Sequence, residues 1–111
     1  MGVVTGNPQR VAEERSIAYH REIASLLAHR PELLDTARDR VESWLRDGSV
    51  ARPYAEAWRD LLCGTFEQLA ATLIDPGERS RDLRQVSPFA GALDPRTRWR
   101  IHADVRAQLA R

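Results

Sequence analysis

Apolar residues recur along this chain at intervals of three and four, the spacing that gathers them on one face of an α-helix. After Asn7-Pro8, the positions Ala12, Ser16, Tyr19, Ile23, Leu26 and Leu27 follow that period and predict a helix reaching about Ala28. A second run starts at Pro31 with the stripe Leu33, Leu34, Ala37, Val41, Trp44 and Leu45, and Gly48 supplies its left-handed stop. Tyr54, Ala57, Trp58, Leu61 and Leu62 mark a third helix between Pro53 and Gly64. Thr65 with Gln68 three residues on is a capping box for Phe66 to Ile74, whose apolar set is Phe66, Leu69, Leu73 and Ile74. A short fifth helix follows Asp75-Pro76-Gly77-Glu78 to about Val86, anchored by Leu83 and Val86 alone. Residues 87–93 read as a loop with Phe89 and Leu93 turned inward, and Asp94-Pro95 opens the last helix.

The prolines reinforce this division. Five of the six, Pro8, Pro31, Pro53, Pro76 and Pro95, stand where a helix is expected to begin. Proline has no amide hydrogen and a φ already near the helical value, so it is harmless in a first turn and damaging further in. The expected fold is all-α, a compact five- or six-helix bundle, with residues 1–7 a flexible N-terminus and residues 8–111 one helical domain. The last helix carries two apolar stripes: Trp99, Ala103 and Ala110 on one side, Ile101, Val105 and Leu109 on another. Either it is wedged between two neighbours, or one stripe is covered by a second protein chain.

Length changes the picture only by fixing one core, because 111 residues suit a single domain. The chain has no apolar run long enough to span a membrane, about eighteen residues, and Met1 to Arg10 has no secretory pattern. A soluble, cytoplasmic bacterial protein is the expectation. All 17 basic residues are Arg and none is Lys, a bias that a GC-rich genome explains more simply than chemistry does. The net charge of +1 hides a gradient. Residues 1–52 carry eight Arg and eight acids, residues 53–77 one Arg and four acids, and residues 78–111 eight Arg and four acids.

Candidate chemistry is sparse. His20, His29 and His102 have no ligand spacing among themselves or with Cys63, so no metal site and no cofactor are expected. Cap and surface roles suffice for the histidines. Cys63, beside Leu62 at a helix end, reads as a small buried apolar group. A helix-turn-helix over Trp58 to Ile74 fails because Phe66 to Ile74 contains no Arg, whereas a helix in the major groove needs long cationic or polar side chains. Arg15 with His20, and Arg96 with His102, fit the loose Arg–His spacing of HEPN-type helical ribonucleases, in which the pair holds phosphate and assists the ribose hydroxyl. The basic C-terminal third, Arg79, Arg81, Arg84, Arg96, Arg98, Arg100, Arg106 and Arg111, offers cations to nucleic-acid phosphates or to an acidic protein surface.

Two stretches carry a resemblance: Arg40-Val41-Glu42-Ser43-Trp44-Leu45, and Arg84 to Leu93 (Arg-Gln-Val-Ser-Pro-Phe-Ala-Gly-Ala-Leu) running on to Arg98-Trp99. From about Ile17 to Ile101 the chain resembles small helical bacterial proteins presumed to be antitoxins of toxin–antitoxin pairs. The resemblance implies a protein that binds and neutralises a cognate toxin, with operator DNA as a further ligand and no catalytic residues. The residues are compatible with that role. Phe89 and Trp99 would serve as anchors and Arg96, Arg98 and Arg100 as a polar rim. A non-catalytic partner-binding protein is therefore the leading expectation, with no membrane and no small-molecule substrate. A nucleic-acid-binding regulator comes second and a HEPN-like ribonuclease third.

Overall fold

The computed structural model describes residues 8–110. Six helices follow one another: α1 (Pro8–Leu27), α2 (Glu32–Asp47), α3 (Arg52–Cys63), α4 (Phe66–Ile74), α5 (Glu78–Arg84) and α6 (Pro95–Leu109). There is no strand among the described residues, and the bundle extends 50 × 29 × 24 Å. The expectation of a flexible segment over 1–7 lies outside the described residues, as does Arg111.

Local signals account for most boundaries. Pro53 and Pro95 occupy the first turns of α3 and α6, and Pro8 begins α1. Pro31 is the residue just before α2, and Pro76 stands two residues ahead of α5. Gly48 ends α2 at φ +72°, where a side chain would be strained, and its N–H donates to Trp44 O at 2.9 Å. Thr65 Oγ1 accepts the Gln68 N–H at 3.1 Å, and Asp94 Oδ1 accepts the Thr97 N–H at 2.7 Å. The cap at α5 differs from expectation. Asp75 Oδ1 accepts the Gly77 N–H at 2.9 Å, Gly77 becomes the cap residue, and the helix stops at Arg84 rather than Val86.

α2 and α3 pack as an antiparallel pair joined by a short turn, while α1 lies against both α4 and α6. At the centre Trp58 is 0% exposed. Its indole Nε1–H donates to Leu83 O at 3.1 Å, and Phe89 meets the ring edge-on at 6.2 Å and 79°. Three arginines staple the elements together through backbone carbonyls. Arg38 donates to Leu62 O at 3.3 Å, and Arg40 donates to Pro88 O at 2.9 Å and Ala90 O at 2.7 Å. Arg84, 6% exposed, donates through Nη1 to Leu73 O at 3.2 Å and Asp75 O at 2.7 Å, capping the carbonyl end of α4. Burial lowers its pKa from the ordinary value, against the pull of Asp75 and Glu13.

Several expectations are corrected. Cys63, the last residue of α3, is exposed, while its neighbour Leu62 takes the buried face. In α4 only Leu69 and Leu73 are buried; Phe66 and Ile74, at its two ends, stand partly in solvent. The ion pair at i,i+4 spacing is Arg52–Glu56 at 3.0 Å, exposed and of little energetic weight. α6 is not wedged: Ile101 and Val105 are buried and Leu109 packs against the core, while Trp99 points away. No helix among the described residues is long and apolar enough to cross a membrane.

Candidate functional site

The outer face of α6 holds the largest exposed aromatic group. Successive helical residues are turned by 100°, so with Ile101 and Val105 against α1 the Trp99 side chain must face outward. It is 73% exposed. Its indole stacks on His102, the ring centroids 6.0 Å apart and the planes 4° from parallel. His102 is in turn held from α1, where Arg15 Nη1 donates to His102 Nδ1 at 3.0 Å. A guanidinium can only donate, so Nδ1 is the acceptor and the imidazole hydrogen sits on Nε2. The exposed tryptophan thus rests on a ring whose orientation is fixed.

The predicted rim is only partly available. Arg96 lies beside Trp99 on the same face, and Arg98 and Arg100 stand on its two flanks, all three exposed. Neither Arg96 nor Arg98 forms a salt bridge among the described residues, although the charge of Arg96 acts on Asp94 at the start of the helix. Arg100 Nη2 is paired with Glu22 Oε1 at 3.2 Å. Phe89 does not belong to this surface. It is 3% exposed and packs on Trp58, so the inward reading of residues 87–93 holds and its role as a partner anchor does not.

The wider basic third is also thinner than its sequence suggests. Arg84 is buried on α4, and Arg81 reaches Glu13 at 3.4 Å and Glu78 at 3.7 Å. Neither Arg–His spacing forms its own bond. Arg15 bonds His102 instead of His20, a pairing across two helices 87 residues apart.

His20 departs most from expectation, since it is 6% exposed rather than on the surface. Its Nδ1–H donates to Ser16 O at 2.7 Å, which leaves Nε2 to accept the Ser87 hydroxyl at 2.8 Å. Ser87 Oγ also accepts the Phe89 N–H at 3.1 Å. The pair ties α1 to the segment 85–94. Burial pushes the His20 pKa below its ordinary 6.5; the bond to Ser16 opposes this and the charge of Arg84 adds to it.

The sign of the consequence is fixed. Between 6.5 and the lower native value the unfolded chain binds a proton that the native chain refuses, so stability is full above pH 6.5 and falls as pH drops below it. The expected slope is up to about 1.4 kcal/mol per pH unit. Asp94, Asp47 and Glu32 are held below ordinary values of 3.8, 3.8 and 4.5 by hydrogen bonds from Thr97, Ser49 and Arg30, so their losses begin only in stronger acid. Urea midpoints at a series of pH values check this. The decline below pH 6.5 should vanish in His20→Gln, and its persistence there would assign it elsewhere.

His20 and Ser87 form the floor of a cleft of about 480 Å³ between α1, the end of α2 and the segment leading into α6. Trp44, Phe89, Arg84 and Arg98 also line it, so the two stretches that carry the sequence resemblance meet at this one place. Arg40 holds them together through the carbonyls of Pro88 and Ala90. No group of three or more metal-ligating side chains occurs among the described residues. In comparison with known proteins, no protein-family model, no curated protein and no solved structure matches the chain.

Proposed function

We propose that this chain is a non-catalytic partner-binding protein of the antitoxin kind its two motifs resemble, docking on a toxin enzyme through the outer face of α6. The observation that carries the reading is Trp99, exposed yet pre-oriented by the stack on His102 and the Arg15 bond. A rigid exposed tryptophan loses little freedom on binding and buries a large apolar area, which is why such residues dominate interface energies. Arg96 and Arg98 beside it match carboxylates at the edge of an acidic partner. A protein partner is favoured over nucleic acid because Arg81 and Arg100 already have acidic neighbours and Arg84 is buried, which interrupts any continuous track for phosphates.

The test is co-expression with the product of the adjacent gene, scored as rescue of growth and as a purified complex. Trp99→Ala is expected to weaken the complex by about 2 kcal/mol or more, roughly thirtyfold, with unfolding unchanged because the side chain is outside the core. Affinity should survive moderate salt. Binding to an oligonucleotide that collapses as salt rises, with no protein complex formed, would instead establish the nucleic-acid regulator.

A further inference from the structure

The cleft beneath the segment 85–94 has apolar walls that the partner-binding reading does not use, while it shares Arg15 and Arg98 with that reading. Its lining is largely apolar, with Trp44 near the end of α2, Val50 in the turn after it, and Val86, Phe89 and Leu93 from the segment 85–94. Three guanidinium groups line it, Arg15 from α1, Arg84 from the end of α5 and Arg98 from α6, and no Asp or Glu does. The charges lining this cleft are thus all positive, in a chain with 16 acidic residues against 17 basic ones. Its volume of about 480 Å³ falls within the range of small-molecule sites, about 300–1,000 Å³.

A second observation is independent of shape. Arg84 Nε is the buried side-chain nitrogen without a hydrogen-bond partner among the described residues. Native proteins rarely leave such a donor unanswered, and Arg84 is one of the residues that line the cleft. At the mouth Arg98 is exposed and has no acidic partner, while Arg15 uses Nη1 on His102. A carboxylate accepts in-plane bonds from such forks, and an aromatic or short aliphatic body fits the opposing apolar walls.

We infer that the cleft between α1, the end of α2 and residues 85–94 binds a small amphipathic carboxylate, its head group on Arg15 and Arg98 and its apolar body between Trp44 and Phe89. The site binds the ligand without converting it. It does not rest on docking through α6, so the protein alone tests it.

The probe is 2-naphthoate, titrated into the full chain and followed by amide and indole NMR shifts. Saturable shifts of the Trp44 indole and the Ser87 and Phe89 amides are expected. The uncharged 2-naphthamide should bind at least about tenfold more weakly, the size of one charge-assisted hydrogen bond. Arg98→Gln should weaken naphthoate by a similar factor, and because Arg98 is exposed this variant keeps the fold. Ala90→Trp, at an exposed position on the cleft wall, should block the mouth and abolish the shifts. Non-saturable shifts, equal binding of the amide, full affinity in Arg98→Gln, or shifts centred on the Trp99 indole would each overturn the assignment.

Discussion

Trp58→Ala is expected to lower the unfolding free energy by about 3–5 kcal/mol, the range for removing a fully buried large aromatic side chain. Three losses coincide at this position. The indole is 0% exposed, so its whole transfer free energy is forfeited and a cavity remains between α3 and the segment 85–94. Leu83 O loses the Nε1–H at 3.1 Å, and Phe89 loses the ring it meets edge-on. Against a usual total of about 5–15 kcal/mol for a domain, that is a large share of the stability. Trp58→Phe keeps part of the volume and omits the hydrogen bond, and should cost about 1–3 kcal/mol. Urea titration followed by far-UV circular dichroism measures both. A loss below about 1 kcal/mol in the alanine variant would show that the bundle closes over the gap, contrary to the packing described.

Arg84→Met is the second large effect, and two opposing contributions decide its size. The buried guanidinium has been stripped of water, and replacing it by an apolar side chain of similar length recovers that cost. The carbonyls of Leu73 and Asp75, however, lose donors at 3.2 and 2.7 Å at a helix end that has no intrahelical partner for them. Hydrogen bonds from a charged donor contribute about 1.5–3 kcal/mol each, so two of them outweigh the recovered solvation and a net loss of about 2–3 kcal/mol is expected. Arg84→Lys should lie between wild type and Met, because an ammonium keeps the charge and can donate, but its shorter reach does not place a nitrogen where Nη1 meets both oxygens. The Met variant unfolding at the same urea concentration as wild type, or later, would show that desolvation of the guanidinium outweighs its two hydrogen bonds.

The two variants probe the same junction from opposite sides. Trp58 reaches Leu83 from α3, and Arg84, one residue on, reaches back to the end of α4. Between them they fix where α5 stops and the segment 85–94 begins, and that segment carries Ser87 to His20 and Pro88 and Ala90 to Arg40. Both walls of the cleft therefore depend on a small number of long-range hydrogen bonds. The outer face of α6 depends on Arg15 to His102 and Arg100 to Glu22, and it shares Arg15 with the lining of the cleft.

The helices themselves are legible in the residue order because their boundaries are set by contacts within four positions. Gly48 bonding Trp44, Thr65 with Gln68, Asp94 with Thr97 and the prolines at 53 and 95 each act inside one turn, and each ends or begins a helix where expected. The cap before α5 is not legible in the same way, because two candidates, Asp75 and Gly77, lie two residues apart and only the backbone path chooses between them. Burial of Ile23, Ala37, Val41 and Leu62 likewise follows from period alone. Tertiary structure decides what period cannot: which of two apolar stripes on α6 faces inward, that His20 and Arg84 are buried while Cys63 is not, and that Phe89 serves the core rather than a surface. The reason is distance along the chain. His20 meets Ser87 across 67 positions, Arg40 meets Ala90 across 50 and Arg15 meets His102 across 87, so neither the cleft nor the platform under Trp99 exists until the helices have packed.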